Sequence, residues 1–225
     1  IENFLNQYIG SLPYFQEHSD YFGTYQIPND FFHRSVNWAL VKRHCADTVI
    51  LFHHHDTVDI EDFGNLKEIA FDNVALKKAL ASSSLDQAVL EDIAANEWQF
   101  GRGSCDMKAA LALQLGVVAE YASKAEGKVN LLYLSVGDEE SYSQGMRAAI
   151  GLLSDLKKKF HLNYILAIDS EPFESPSAQE KVLHVGTVGK MMPVVVTQGI
   201  LSHMKEPLKG INAVSLLAKV VEKID

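Results

Sequence analysis

The chain has 225 residues, 47% of them hydrophobic, and 29 acidic against 20 basic side chains give it a formal charge of −9. That length and apolar content suffice for one well-packed domain plus part of another, and the acidic balance leaves no basic face for the counterion release that drives nucleic-acid binding. The longest apolar runs, Val129 to Val136 and Met191 to Val196, fall far short of the roughly 20 residues a membrane-spanning helix needs.

No signal peptide is read at the start, and two cysteines, Cys45 and Cys105, are too few for a disulfide framework, so the expected setting is the reducing cytoplasm. The chain opens at Ile1 and stops at Asp225 inside a helical pattern, the mark of a trimmed or partial chain.

In chain order, residues 1–35 read as a surface helix and loops broken by Pro13 and Pro28. Strands follow at Val36 to Lys42 and Thr48 to His54, the second apolar on both faces, as a central parallel strand should be. Asp59 to Gln99 is a polar surface excursion with weak helical patterns at Asn73 to Leu80 and Leu85 to Ala95. A buried helix opens at Asp106, where small and apolar residues recur at helical spacing. A third strand runs from Val129 to Val136, a second strong helix from Ser143 to Phe160 and a fourth strand from Tyr164 to Ser170. The pattern then changes to a long strand pair in VLHVGTVGKMMPVVVTQG and a helix from Asn212, which places a domain boundary near Gln179. Strands alternating with helices specify the α/β class and a largely parallel sheet flanked by helices.

His54, Asp56, Asp106, Glu139, Glu140 and Glu171 each sit at the C-terminal end of a predicted strand or at a helix start. In open α/β sheets that edge binds ligands. One imidazole among several carboxylates suits a borderline divalent ion, zinc above all. An aspartate at a helix start has two oxygens with which to bridge two ions, and of two adjacent glutamates one can ligate while the other serves as general base. Each signal has a plainer explanation by itself. HHHD is more often a polar strand end, DEE a solvated turn, and GRGSCD a tight turn with an aspartate cap; it is the shared placement that raises them. GRG lacks the third glycine of a dinucleotide fingerprint, and Asp106 would repel a phosphate.

The segments GRGSCDMKAALA, SVGDEESYSQG and AIDSEP resemble the motifs of the co-catalytic zinc aminoacylase and carboxypeptidase family, which includes acetylornithine deacetylase, succinyl-diaminopimelate desuccinylase and glutamate carboxypeptidase. DTVDIEDFGNLKEIAFD, EWQFGRG and VGTVGKMMP look most like its arginine-utilisation (RocB-like) branch. The resemblance implies a mixed, mostly parallel sheet in a zinc-exopeptidase-like catalytic domain over residues 1–179, incomplete at its C-terminus. Residues 180–225 would be the truncated start of an α+β lid and dimerisation domain.

Carried over by position, His54 ligates one zinc, Asp56 orients its ring, Asp106 bridges two ions, Glu140 ligates the second and Glu139 is the general base. Glu171 completes the first zinc's shell, with Asp169 as its competitor, and His203 resembles the lid histidine that stabilises an oxyanion. A further histidine for the second zinc comes, in the family, from beyond the lid. His53 and His55 are expected to be non-ligands, and Cys105 a small buried residue. The implied activity is hydrolysis of the amide of an N-acyl amino acid or short peptide by a di-zinc enzyme, cobalt or manganese being the other candidate metals. The implied partners are a small amino-acid-derived substrate and a second copy through the lid, with arginine catabolism as the setting. The alternative is an inactive metallohydrolase-like binding or regulatory module.

Overall fold

A computed structural model of the chain describes residues 1–173, 182–186 and 194–224. It divides into two units, Ile1–Glu174 and Ser175–Asp225. The boundary expected near Gln179 lies outside the described residues.

The first unit is built on strands β1 (Phe22–Gln26), β2 (Ser35–Val41), β3 (Asp47–His54), β4 (Asn130–Val136) and β5 (Asn163–Asp169), in the order β1-β2-β4-β3-β5. Its helices are α1 (Glu2–Ser11), α2 (Pro13–Glu17), α3 (Asn73–Ala81), α4 (Gln87–Ala95), α5 (Ala110–Ser123) and α6 (Gln144–Phe160).

Alternation along β4 explains the layering. Leu131 and Tyr133 point into a cluster with α1, α2 and α5 through Leu5, Ile9, Phe15, Leu111, Leu115 and Val118. Leu132, Leu134 and Val136 point to the opposite cluster, closed by Ala149, Leu152 and Leu156 of α6. A strand covered on both faces reads as an unbroken apolar run, which is why β2, β3 and β4 lie within one residue of their expected limits; the exposed edge strand β5, also apolar, does so as well. Leu132 is fully buried at the centre of the sheet. Replacing it with alanine should cost about 2 to 5 kcal/mol, read as a lower urea midpoint.

The sheet is mixed, as expected. β4, β3 and β5 are mutually parallel, whereas β1 with β2 and β2 with β4 are antiparallel. The reading of residues 1–35 as surface helix and loops is corrected in two respects. Leu5 and Ile9, one helical turn apart, and Phe15 are buried against the sheet, and Phe22–Gln26 adds an edge strand. That strand carries a glycine and weak alternation, so its pairing with β2 rather than its own pattern makes it a strand.

The helix expected from Asp106 begins regular α geometry only at Ala110. Ser104–Ala109 form a wider turn in which Asp106 and Met107 have non-helical backbone angles. Met107 is fully buried and its Sδ accepts the His54 N–H at 3.2 Å. Anchoring Met107 inward leaves the neighbouring aspartate facing out.

In the second unit, α7 (Ala213–Ile224) begins where expected, with Asn212 Oδ1 accepting the N–H groups of Val214 and Ser215 at 2.8 and 3.2 Å, an N-cap that satisfies two orphan donors. The strand pair expected over Val182 to Gly199 is not formed in its described parts, residues 182–186 and 194–199. An apolar run does not by itself make a strand; among the described residues, an isolated bridge joins Ile200 and Ile211 nearby. No helix among the described residues is long and apolar enough to cross a membrane.

Candidate metal centre

Because β3, β4 and β5 run the same way, His54 and Val136, which are partners in register, share one sheet edge with the end of β5, where Asp169 closes the pairing with Phe52. The loops that follow carry Asp56, Glu139, Glu140 and Glu171 to that edge, and the turn before α5 brings Asp106.

His54, 2% exposed, is the hub. Its Nε2 lies 2.9 Å from Asp106 Oδ1 and 3.5 Å from Glu171 Oε1. Nδ1 faces Asp56 Oδ1 at 3.3 Å but has no aligned hydrogen bond. Asp56 in turn accepts the backbone N–H groups of Glu139 and Glu140, both at 3.2 Å. One carboxylate therefore faces the imidazole and pins the loop that carries both glutamates. Among the described residues, two sets of donor atoms have a spacing able to hold a cation, each set lying within 4.8 Å: His54, Asp106 and Glu140, and His54, Glu139 and Glu171.

The electrostatics show what is crowded there. Burial works against charge on His54, yet Asp56, Glu171 and Asp106 prevail and raise it to about 9. Burial raises Glu171 to about 7, with Asp169, Asp106 and Glu139 adding to the effect and His54 opposing it. Glu140 and Asp169 are raised as well, burial first and neighbouring carboxylates after it. Burial would raise Asp56, but the His54 imidazole facing it and the two amide N–H groups it accepts hold it at about 2. A cluster of like charges that lifts its own carboxylate pKa values is relieved by a cation. The donor set, one imidazole nitrogen and carboxylate oxygens, fits zinc or a similar ion.

His53 and His55 point to the opposite face from His54. His53 is bound by Gln114 Oε1 at 2.9 Å and the Tyr133 hydroxyl at 3.2 Å, and His55 by the Ser135 hydroxyl at 2.9 Å. Burial lowers His53 to about 4. The unfolded ring titrates near 6.5, so the unfolded chain takes up the proton first. The stability His53 contributes is intact above pH 6.5 and is lost as pH falls toward 4. Between pH 7 and 5 this amounts to about 2 kcal/mol. Urea unfolding at both pH values should therefore shift the stability difference between the parent and His53→Gln by about that amount in favour of the variant.

Three features were not read from the sequence. Arg34 donates to Asp30 and to Asp138, joining the start of β2 to the residue before Glu139. The Asp138 backbone is left-handed, with φ 71°, and its Oδ2 accepts the Gln144 N–H at 3.2 Å. Gly145 packs so closely that a Cβ would collide with the Gly137 carbonyl. The signal for Asp138 was its place beside two glutamates; Arg34 and Gly145 offered none. Gly145→Ala should displace the Glu139 loop and cost about 1 to 3 kcal/mol through overpacking, measured as a fall in thermal midpoint. Cys105 is exposed, correcting the expectation that it is buried. Its side chain projects out because Met107 takes the inward position on the same turn. His203 lies in the second unit, where its Nδ1 accepts the Lys205 N–H at 3.2 Å.

A mixed α/β sheet whose parallel strand ends gather one buried imidazole and a ring of carboxylates has the donor arrangement of a protein that could hold a divalent cation. The chain belongs to peptidase family M20/M25/M40, whose model matches residues 88–216. It is 35% identical over 228 residues to Protein RocB of Bacillus subtilis (strain 168), covering 99% of this chain and 40% of that protein. It is also 35% identical over 213 residues to the uncharacterized protein YqjN of the same strain, covering 92% of this chain and 38% of the relative. A 28% identity over 127 residues links it to succinyl-diaminopimelate desuccinylase 2 of Shewanella loihica, covering 56% of this chain and 32% of the relative. The chain thus spans about two fifths of the length of the first two relatives. Among solved structures, the M20 family metallo-carboxypeptidase Sso-CP2 from Sulfolobus solfataricus aligns with a TM-score of 0.46 and 16% identity, over 73% of this chain and 31% of that one.

Proposed function

We propose that this chain carries the catalytic centre of a metal-dependent hydrolase that cleaves the amide of an N-acyl amino acid or short peptide. The observation that supports the reading is the convergence of Asp106, Glu139, Glu140 and Glu171 on the single imidazole of His54, in two overlapping donor sets.

His54, Asp106 and Glu171 would hold one divalent ion, and Asp106 and Glu140 a second, with zinc as the expected metal and cobalt or manganese as its substitutes. The 3.5 Å approach of Glu171 to His54 favours it over Asp169 as the ligand. When bound, such ions polarise the scissile carbonyl and make the attacking water acidic enough to ionise near neutral pH. The remaining work falls to the chain. Asp56 keeps the His54 ring in place, a partnership that fixes tautomer and basicity. Glu139 takes the proton of the attacking water and returns it to the departing amine. His203 would donate to the developing oxyanion, from this chain or from a second copy joined through the lid.

The test is elemental analysis of the purified natural protein, together with hydrolysis of N-acyl amino acids before and after chelation. Two ions per chain and activity that chelation abolishes and zinc restores are expected. Metal without turnover of any amide, or absence of metal, would overturn the hydrolase reading and favour the binding-module alternative.

A further inference from the structure

The ladder between β3 and β5 ends at the pair Phe52 and Asp169, one residue short of Ser170 and two short of Glu171. The register of β3 with β5 thus stops just before the segment that carries Glu171. Gln114 of α5, buried at 3% exposure, bridges the gap. Its Nε2 donates to the Phe52 carbonyl at 3.0 Å and to Ser170 Oγ at 2.8 Å.

The orientation of this amide follows from its partners. The Phe52 carbonyl can only accept, so the amide NH₂ must face it and Oε1 must face His53. His53 Nδ1, 2.9 Å from Oε1, then carries the proton, and His53 Nε2 accepts from the Tyr133 hydroxyl at 3.2 Å. The chain runs Tyr133 to His53 to Gln114 to Ser170 with every donor used in one direction. A hydrogen-bonded network of this kind rigidifies what it touches. Its far end is the residue beside Glu171.

We infer that Gln114 is a positioning residue for the candidate metal centre: by tying Phe52 to Ser170 past the end of the β3/β5 ladder, it sets Glu171 at ligand distance from His54. The inference rests on the metal-centre reading above. Partners that hold metal ligands in place typically carry 10- to 100-fold in metal affinity.

The experiment is a chelator-competition titration of the natural protein with zinc, run beside thermal unfolding of the metal-free form. Gln114→Met and Ser170→Ala should each weaken zinc binding about tenfold or more. The double variant should be no weaker than the weaker single one, because both remove the same tie. Ser170→Thr, which keeps the hydroxyl, should bind as the parent does. Should Gln114→Met fail to fold, Ser170→Ala and Ser170→Thr still decide, since Ser170 lies outside the core. A fall in unfolding temperature with unchanged zinc affinity would overturn the positioning role and leave the metal centre standing. A parent that binds no zinc would overturn the metal centre, and this inference with it.

Discussion

Asp106→Ala is expected to abolish co-catalytic metal binding and, with it, amide hydrolysis. Asp106 is the carboxylate nearest the hub, 2.9 Å from His54 Nε2, and its side chain is 53% exposed. It therefore contributes little to the core, and its loss should leave the metal-free fold intact. If it bridges two ions, its removal takes a ligand from both at once, whereas loss of Glu140 or Glu171 takes one from a single ion. Elemental analysis should show a drop from two ions per chain to one or none. Activity should fall by at least about 10³, since without the ions the attacking water reverts toward its bulk pKa. Asp106→Asn, of the same shape but uncharged, should fall between parent and alanine variant. A variant that keeps both its metal and its activity would refute the assignment.

Glu139→Gln is the second large effect, and it should separate chemistry from binding. The substitution preserves the backbone N–H that Asp56 accepts at 3.2 Å, so the loop should stay in place. What disappears is the proton acceptor. Loss of a general base costs about 10² to 10⁴ in rate, and here the fall should lie in kcat, with KM and metal content close to those of the parent. The geometry supplies the competing outcome, because Glu139 also belongs to a donor set with His54 and Glu171. If the glutamine variant loses an ion along with its rate, Glu139 is a ligand, and Glu140 becomes the candidate base.

Sequence alone determined a good deal. Where a strand is covered on both faces, as β3 and β4 are, its apolar run announces it, and both were legible to within a residue. The convergence of the candidate residues was legible for a related reason. Parallel strands place their C-terminal ends on one edge, so the polar residues that end such runs, His54 and the Glu139–Glu140 pair among them, must meet wherever the strands adjoin. Tertiary structure decided what the pattern could not hold. β1 is a strand only because β2 offers it an edge, whereas residues 182–186 and 194–199, for all their apolar content, are irregular. The Arg34–Asp138 link spans 104 residues and the Gln114–Ser170 link 56. Such partners carry no periodicity, since they are chosen by distance after the chain has packed. Local spacing fixes the faces of strands and helices, whereas hydrogen bonds between residues far apart in the chain exist only once the fold has brought both ends together.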